Sequence, residues 1–248
     1  MWRVVECSGR GTSHKQEKSN CQDWRQFRHW VWAGEPVLLI AIADGAGSAK
    51  RSQLAAAKAT AFLLKQARHF DKGADDLDPP TVLEWFQRAS EHLKNTAAEK
   101  RIPVEDFACT LLFAVLGERS AVFAQLGDGA WIAKTPSEYR CMTWPTKGEY
   151  ANQTVFLTSS GALGHLQLKR LAGVPIGVAG FTDGLETSGL NFETRTPHAP
   201  FFDPMFGALA KAENEDVLTM HLKRFLDSDL MNKQTDDDKT LVLACHIT

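Results

Sequence analysis

The chain has 248 residues, 44% hydrophobic and 23% charged, with 28 Lys plus Arg against 30 Asp plus Glu for a net charge of −2. That is enough chain to bury a core without disulfides or structural metals, and the charge balance carries no electrostatic footprint for nucleic acid. The longest apolar run, 37–43, is too short to span a bilayer, residues 1–7 lack the apolar stretch of a secretory signal, and Cys7, Cys21, Cys109, Cys141 and Cys245 never form a C-x-x-C pair; together these predict a cytoplasmic protein with reduced thiols.

In chain order, the pattern predicts strands over 2–7, 25–32 and 37–43, the last a continuous apolar run of buried-strand length. Two helices follow. One is Ala- and Leu-rich over 52–70, and the other covers 78–101 behind Pro79-Pro80, with Thr81 as N-cap and Glu84 reaching back to it. Strand signals return at 110–116 and 121–126 around a short turn, then at 131–134, 139–143, 154–158 and 179–182. Between 159 and 178 the sequence reads as irregular. Helices are expected at 204–212 and 216–227, and a closing strand at 240–247. Hairpin-connected strands interrupted by blocks of helices favour α+β over a parallel βαβ sheet. No linker or repeat divides 1–248, so one domain is expected.

Three apolar segments end in Asp-Gly, at Asp44-Gly45, Asp128-Gly129 and Asp183-Gly184, and Asp236-Asp237-Asp238 abuts the last strand. Taken singly, each is an ordinary turn or a solvated acidic loop. Taken together, acids at several strand ends can converge on one sheet edge. Converging carboxylates repel and are tolerable with bound cations or shifted pKa values. An oxygen-only donor set selects hard ions such as magnesium or manganese. A glycine directly after the Asp lets its backbone carbonyl approach such an ion. A P-loop, a G-x-S-x-G elbow, an H-E-x-x-H helix and a complete EF-hand loop are all missing.

The order of these motifs resembles the type 2C metal-dependent serine/threonine protein phosphatases, particularly a compact stand-alone bacterial branch. Along nearly the whole chain, Asn20-Cys21-Gln22-Asp23 is similar to the family's N-E-D-A element and Asp44-Gly45-Ala46-Gly47 to D-G-x-G. Cys109-Thr110 is similar to G-S-T and Gln125-Leu126-Gly127-Asp128-Gly129 to N-x-G-D-S. Thr182-Asp183-Gly184-Leu185-Glu186 is similar to S-D-G-L-x-D, and Asp237-Asp238-Lys239-Thr240 to D-N-x-T.

The resemblance implies two antiparallel β-sheets packed as a sandwich with helices on both outer faces. It implies two Mn2+ or Mg2+ ions: Asp44 bridging both, the Gly45 carbonyl on one, and Asp183 and Asp237 on the other. Asp128 would help hold a weaker third ion, and Asp23 would reach the metals through water. The phosphate-binding cation would be His14 or Lys18. The implied reaction is hydrolysis of phosphoserine or phosphothreonine in proteins by in-line attack of a metal-bridging water or hydroxide, without a phosphoenzyme. Asp44, Asp183 and His14 are then the catalytic candidates. The implied partner is a phosphoprotein substrate of a cognate Ser/Thr kinase in bacterial signalling, with neither nucleic acid nor membrane, and the enzyme is expected to be a monomer. The rival readings are a pseudophosphatase that only binds phosphoproteins and a small-molecule phosphomonoesterase. The sequence departs from the pattern at Gln22, which replaces an acid, at Thr187, where many members have a further Asp, and at Ala46, where some carry a His.

Overall fold

A computed structural model describes residues 1–146 and 154–247. The strands are β1 (Trp2–Gly9), β2 (Trp24–Trp32), β3 (Glu35–Ala43), β4 (Leu111–Leu116), β5 (Ser120–Leu126), β6 (Ala130–Lys134) and β7 (Tyr139–Cys141). They continue as β8 (Gln167–Ala172), β9 (Gly177–Phe181), the two-residue pair β10 (Leu190–Asn191) and β11 (Thr196–Pro197), and β12 (Lys239–His246). The helices are α1 (Thr12–Gln16), α2 (Ser52–Ala67), α3 (Pro79–Glu99), α4 (Glu186–Gly189), α5 (Ala199–Lys211), α6 (Glu215–Leu226) and α7 (Asp229–Asn232). The fold is α+β with two main antiparallel sheets, as the strand pattern led one to expect. No helix among the described residues is long and apolar enough to cross a membrane.

The described residues gather into two compact units. The middle unit, Gln22–Asp128 with Pro145–Val174, is built on the sheet β2-β3-β4-β5-β8. Its helices cover one face of that sheet. Ala55, Ala59 and Leu63 of α2 and Val82, Phe86 and Leu93 of α3 share a core with Leu39, Ala41, Phe113 and Val115. The alanines of α2 let the helix backbone lie close to the strands.

Three expectations for this unit need correction. The N-cap of α3 is Asp78, whose carboxylate accepts the Thr81 N–H at 2.9 Å, and Glu84 pairs instead with Arg88 one turn on. The two prolines fill the first helical positions and keep the residue before them extended, which makes Asp78 the cap. Residues 154–158 form no strand beyond an isolated bridge at Thr154. Leu157 instead donates its N–H to the Cys109 carbonyl at 2.8 Å and accepts the Ser90 hydroxyl at 2.7 Å. The stretch expected to be irregular contains β8, a polar edge strand paired with β5.

The terminal unit, Met1–Cys21, Gly129–Trp144 and Pro175–Thr248, is built on the sheet β1-β12-β9-β6-β7. Phe202 and Phe206 of α5 and Leu222 and Leu226 of α6 pack on Val5, Phe181 and Leu243. Helix α5 begins at Ala199, five residues before the expected start, and carries Pro204 inside it. Burial of Phe202 against Phe181, with ring centroids 5.9 Å apart, holds the turn preceding that proline in the helix. Trp144 packs: Phe192 meets it edge-on at 5.4 Å and the Arg195 guanidinium lies over its ring.

Candidate functional site

In the middle unit, strand register collects the acids. Trp24 pairs with Ala43, Ile42 with Leu112 and Leu111 with Leu126. Asp23, Asp44, Thr110 and Asp128 therefore all lie just past the same end of one sheet. Asp44 is fixed through its backbone. Its N–H donates to the Thr110 hydroxyl at 2.9 Å and its carbonyl accepts the Thr110 N–H at 2.8 Å. Gly45 bridges to Cys109, and a Cβ there would stand 2.7 Å from that of Ser52 at the start of α2. Only glycine lets α2 seat against this turn.

Asp128 sits in the turn between β5 and β6, flanked by Gly127 (φ +99°) and Gly129 (φ +83°). These are left-handed conformations that favour glycine on both sides. The Thr154 hydroxyl donates to Asp128 Oδ2 at 2.6 Å. The carboxylates of Asp44 and Asp128 offer oxygens within 4.8 Å of one another. Asp23 is buried just before β2.

The donor chemistry passes the test for a hard cation. Adjacent oxygens on magnesium, at about 2.0–2.1 Å from the ion, stand roughly 3 Å apart and opposite ones about 4.2 Å. Two half-buried carboxylates within 4.8 Å need only a small closure to share such an ion, and their mutual repulsion favours it.

The terminal unit makes its own cluster by the same device. Phe181 pairs with both Leu241 and Ala130, and Gly9 pairs with Lys239. Asp183, Gly129, Asp237, Asp238 and Gly11 accordingly follow or precede strands at one sheet end. Asp183 is half-buried and opens a 3-10 turn, Asp183–Leu185. The next residue must be glycine, since a Cβ on Gly184 would stand 2.0 Å from the Asp238 carbonyl oxygen.

The adjacent acids divide their work. Asp238 is 1% exposed; its carboxylate accepts the Gly11 N–H at 2.6 Å, and its Oδ2 stands 2.9 Å from His14 Nδ1 as an ion pair. Asp237 is half-buried, accepts the Asp238 N–H at 2.7 Å, and has its carboxyl pushed above the usual range by burial. Burial draws the His14 pKa down, but the hydrogen bond and charge of Asp238, with Asp237 and Glu17, more than offset it and leave it raised. His14 is therefore buried and ion-paired, whereas Lys18 is exposed in the loop after α1 with φ 58°. Burial lowers the pKa of Lys239, whose Nζ donates to Asn232 Oδ1 at 3.1 Å.

The residues that sequence reasoning left without a role are mostly the holders. Thr110 and Asp238 lay inside quoted motifs but carried no assignment, and Thr154 carried none beyond a strand. Glu186 accepts the Gly129 N–H at 2.8 Å, which secures the residue next to Asp128. Of the three departures, Ala46 is buried, Gln22 is half-buried with its carbonyl near Gly45, and Thr187 is exposed. Thr187 borders an apolar cavity of about 620 Å³ in the terminal unit, walled by Phe201, Leu218, Leu222 and Leu243. None of the candidate carboxylates lines it.

Comparison with known proteins gives concordant matches. A family model described as protein phosphatase 2C matches residues 10–227. The chain is 38% identical over 251 aligned residues to serine/threonine-protein phosphatase 3 of Escherichia coli strain K12, covering 98% of each. Among solved structures, the S. agalactiae serine/threonine phosphatase superposes with a TM-score of 0.69 at 15% identity, covering 100% of both chains. RsbX in complex with magnesium superposes with a TM-score of 0.57 at 16% identity, covering 98% of this chain and 94% of that one. At these identities the structural matches speak to the fold.

Proposed function

The chain belongs to the protein phosphatase 2C family, and on that premise we propose that it hydrolyses phosphoserine and phosphothreonine in proteins with the help of Mn2+ or Mg2+. The observation that carries the reading is the pair Asp44 and Asp128, which separate strand ends bring within 4.8 Å while Thr110 and Thr154 hold them. In this reading Asp44, the Gly45 carbonyl, Asp183 and Asp237 would hold two cations, with Asp128 supporting a weaker third and Asp23 acting through water. Bound there, divalent ions supply charge neutralisation for the phosphate and lower the pKa of water.

The chain's own residues then bind and orient. His14 has Nδ1 committed to Asp238, which leaves Nε2 as the ring atom that can steady a phosphate oxygen; exposed Lys18 is the alternative cation. Thr110 keeps the Asp44 backbone from drifting, and Gly184 keeps the Asp183 turn against the Asp238 backbone. Ala46 offers no proton, so protonation of the leaving hydroxyl falls to water or another side chain. The E. coli relative's name supports a protein substrate, and a phosphoprotein substrate implies a Ser/Thr kinase that makes it.

The test compares substrates. Purified enzyme with manganese is given a phosphothreonine peptide, a phosphoserine peptide and a free phosphosugar. Preferential hydrolysis of the peptides supports the proposal. Preference for the phosphosugar would move the protein to the small-molecule phosphomonoesterases, and peptide binding without turnover would make it a pseudophosphatase.

A further inference from the structure

Strand β2 is an edge of the middle unit's sheet, and among the described residues it pairs with β3 alone. It is nine residues long, with no proline and no break in its register with β3. Between it and α2 runs a groove of about 260 Å³. Leu39 and Leu64 make its floor, and Arg28, Lys65 and Arg68 stand around it with Trp30. Trp30 is 37% exposed, and the Arg68 guanidinium lies 4.7 Å from its ring centroid. No acid lines the groove, and among the described residues none of the three cations is ion-paired with a carboxylate.

A chain with a net charge of −2 has gathered Arg28 of β2 and Lys65 and Arg68 of α2 around one groove, beside a strand edge that is unpaired among the described residues. Such an edge has backbone donors and acceptors to offer a further strand, and edge charges decide which strand it accepts. A second copy of β2 would set arginine against arginine and is disfavoured. A strand whose acids face the groove meets attraction from all three cations, while its alternate side chains point to the opposite face of the sheet. Nucleic acid fits less well, because it cannot use the strand's hydrogen-bonding edge.

We propose that the β2–α2 groove docks an extended acidic segment of a protein partner, which adds as a strand to β2. Its carboxylates lie by Arg28, Lys65 and Arg68, and its alternate, apolar side chains lie on the opposite face of the sheet, the face of Phe27 and Val31. The docking is independent of the catalytic reading, since it uses none of the candidate metal ligands.

The test is anisotropy of a fluorescein-labelled octapeptide of alternating Glu and Val, titrated with the full chain at low salt. Binding by the wild-type chain is expected. It should fall by about tenfold or more in R28E/K65E/R68E, and similarly when alternate peptide amides are N-methylated to block strand pairing. Should the triple variant not fold by circular dichroism, Lys65→Glu alone, at an exposed helix position, must still weaken binding. Three results would overturn the proposal: no binding by the wild-type chain, equal binding by the charge-reversed chain, or a single-stranded oligonucleotide that binds more tightly than the peptide.

Discussion

Thr110 fixes the Asp44 backbone, because the two residues exchange hydrogen bonds at 2.9 and 2.8 Å. Thr110→Val keeps the shape but removes the acceptor for the Asp44 N–H. The expected cost is about 1–3 kcal/mol, with weakened Mn2+ binding, whereas Thr110→Ser should retain both. Urea denaturation with a parallel metal titration checks this, and a valine variant indistinguishable from wild type contradicts it. Gly184→Ala should be comparably harmful, roughly 1–3 kcal/mol, because its Cβ would stand 2.0 Å from the Asp238 carbonyl oxygen and the backbone must move. At this scale the sequence is informative about acids and poor on their supports. An Asp-Gly at the end of an apolar run is visible as a pattern. That Asp238 closes on Gly11 and His14, 227 and 224 positions away, depends on β1 pairing with β12 and is invisible along the chain.

Elements were legible where burial is uniform and obscure where it is not. The runs that became β3, β4 and β5 are apolar almost throughout and were readable as strands. By contrast β8 is Gln-Leu-Lys-Arg-Leu-Ala, polar because it lies at an edge, and composition concealed it. Helix α5 begins five residues before the expected 204, because burial of Phe202 and Phe206 outweighs the break that Pro204 makes inside it. The cap of α3 gives a clean comparison. Asp78→Ala should lower the denaturation midpoint measurably, and Thr81→Ala should leave it nearly unchanged; the reverse ranking would restore Thr81 as the cap.

The loop after α2 is tied to β5 through Asp75, which accepts the Ser120 hydroxyl at 2.5 Å and Arg119 Nε at 2.7 Å. The Ser120 hydrogen bond, with Arg119, holds the Asp75 carboxyl below the usual carboxylate range despite some opposing desolvation. A depressed folded pKa contributes stability above the unfolded value, about 3.9, and that contribution is lost as pH falls through the folded one. Asp75→Asn should therefore be less stable than wild type at pH 7, and the difference should shrink below about pH 4. Urea midpoints from pH 7 down to pH 3 measure it, and a gap constant across that range contradicts the assignment.

For the whole molecule, each unit presents acids at one end of its sheet: Asp23, Asp44 and Asp128 in one, Asp183, Asp237 and Asp238 in the other. The family assignment explains why both sets exist in one chain, and metal-dependent phosphoester hydrolysis is the chemistry that would use both. Motif order made the family and the α+β class readable from sequence. The hold on each acid was not readable, since it comes from strand register and from hydroxyls distant in the chain. The most direct measurement is hydrolysis of a phosphothreonine peptide by wild-type and Asp183→Asn enzyme, each with manganese, with magnesium and with chelator. Turnover by the wild type with either metal, abolished by chelator and lost in the variant, is the result this account predicts. Turnover that persists in chelator, or that Asp183→Asn leaves intact, would contradict it.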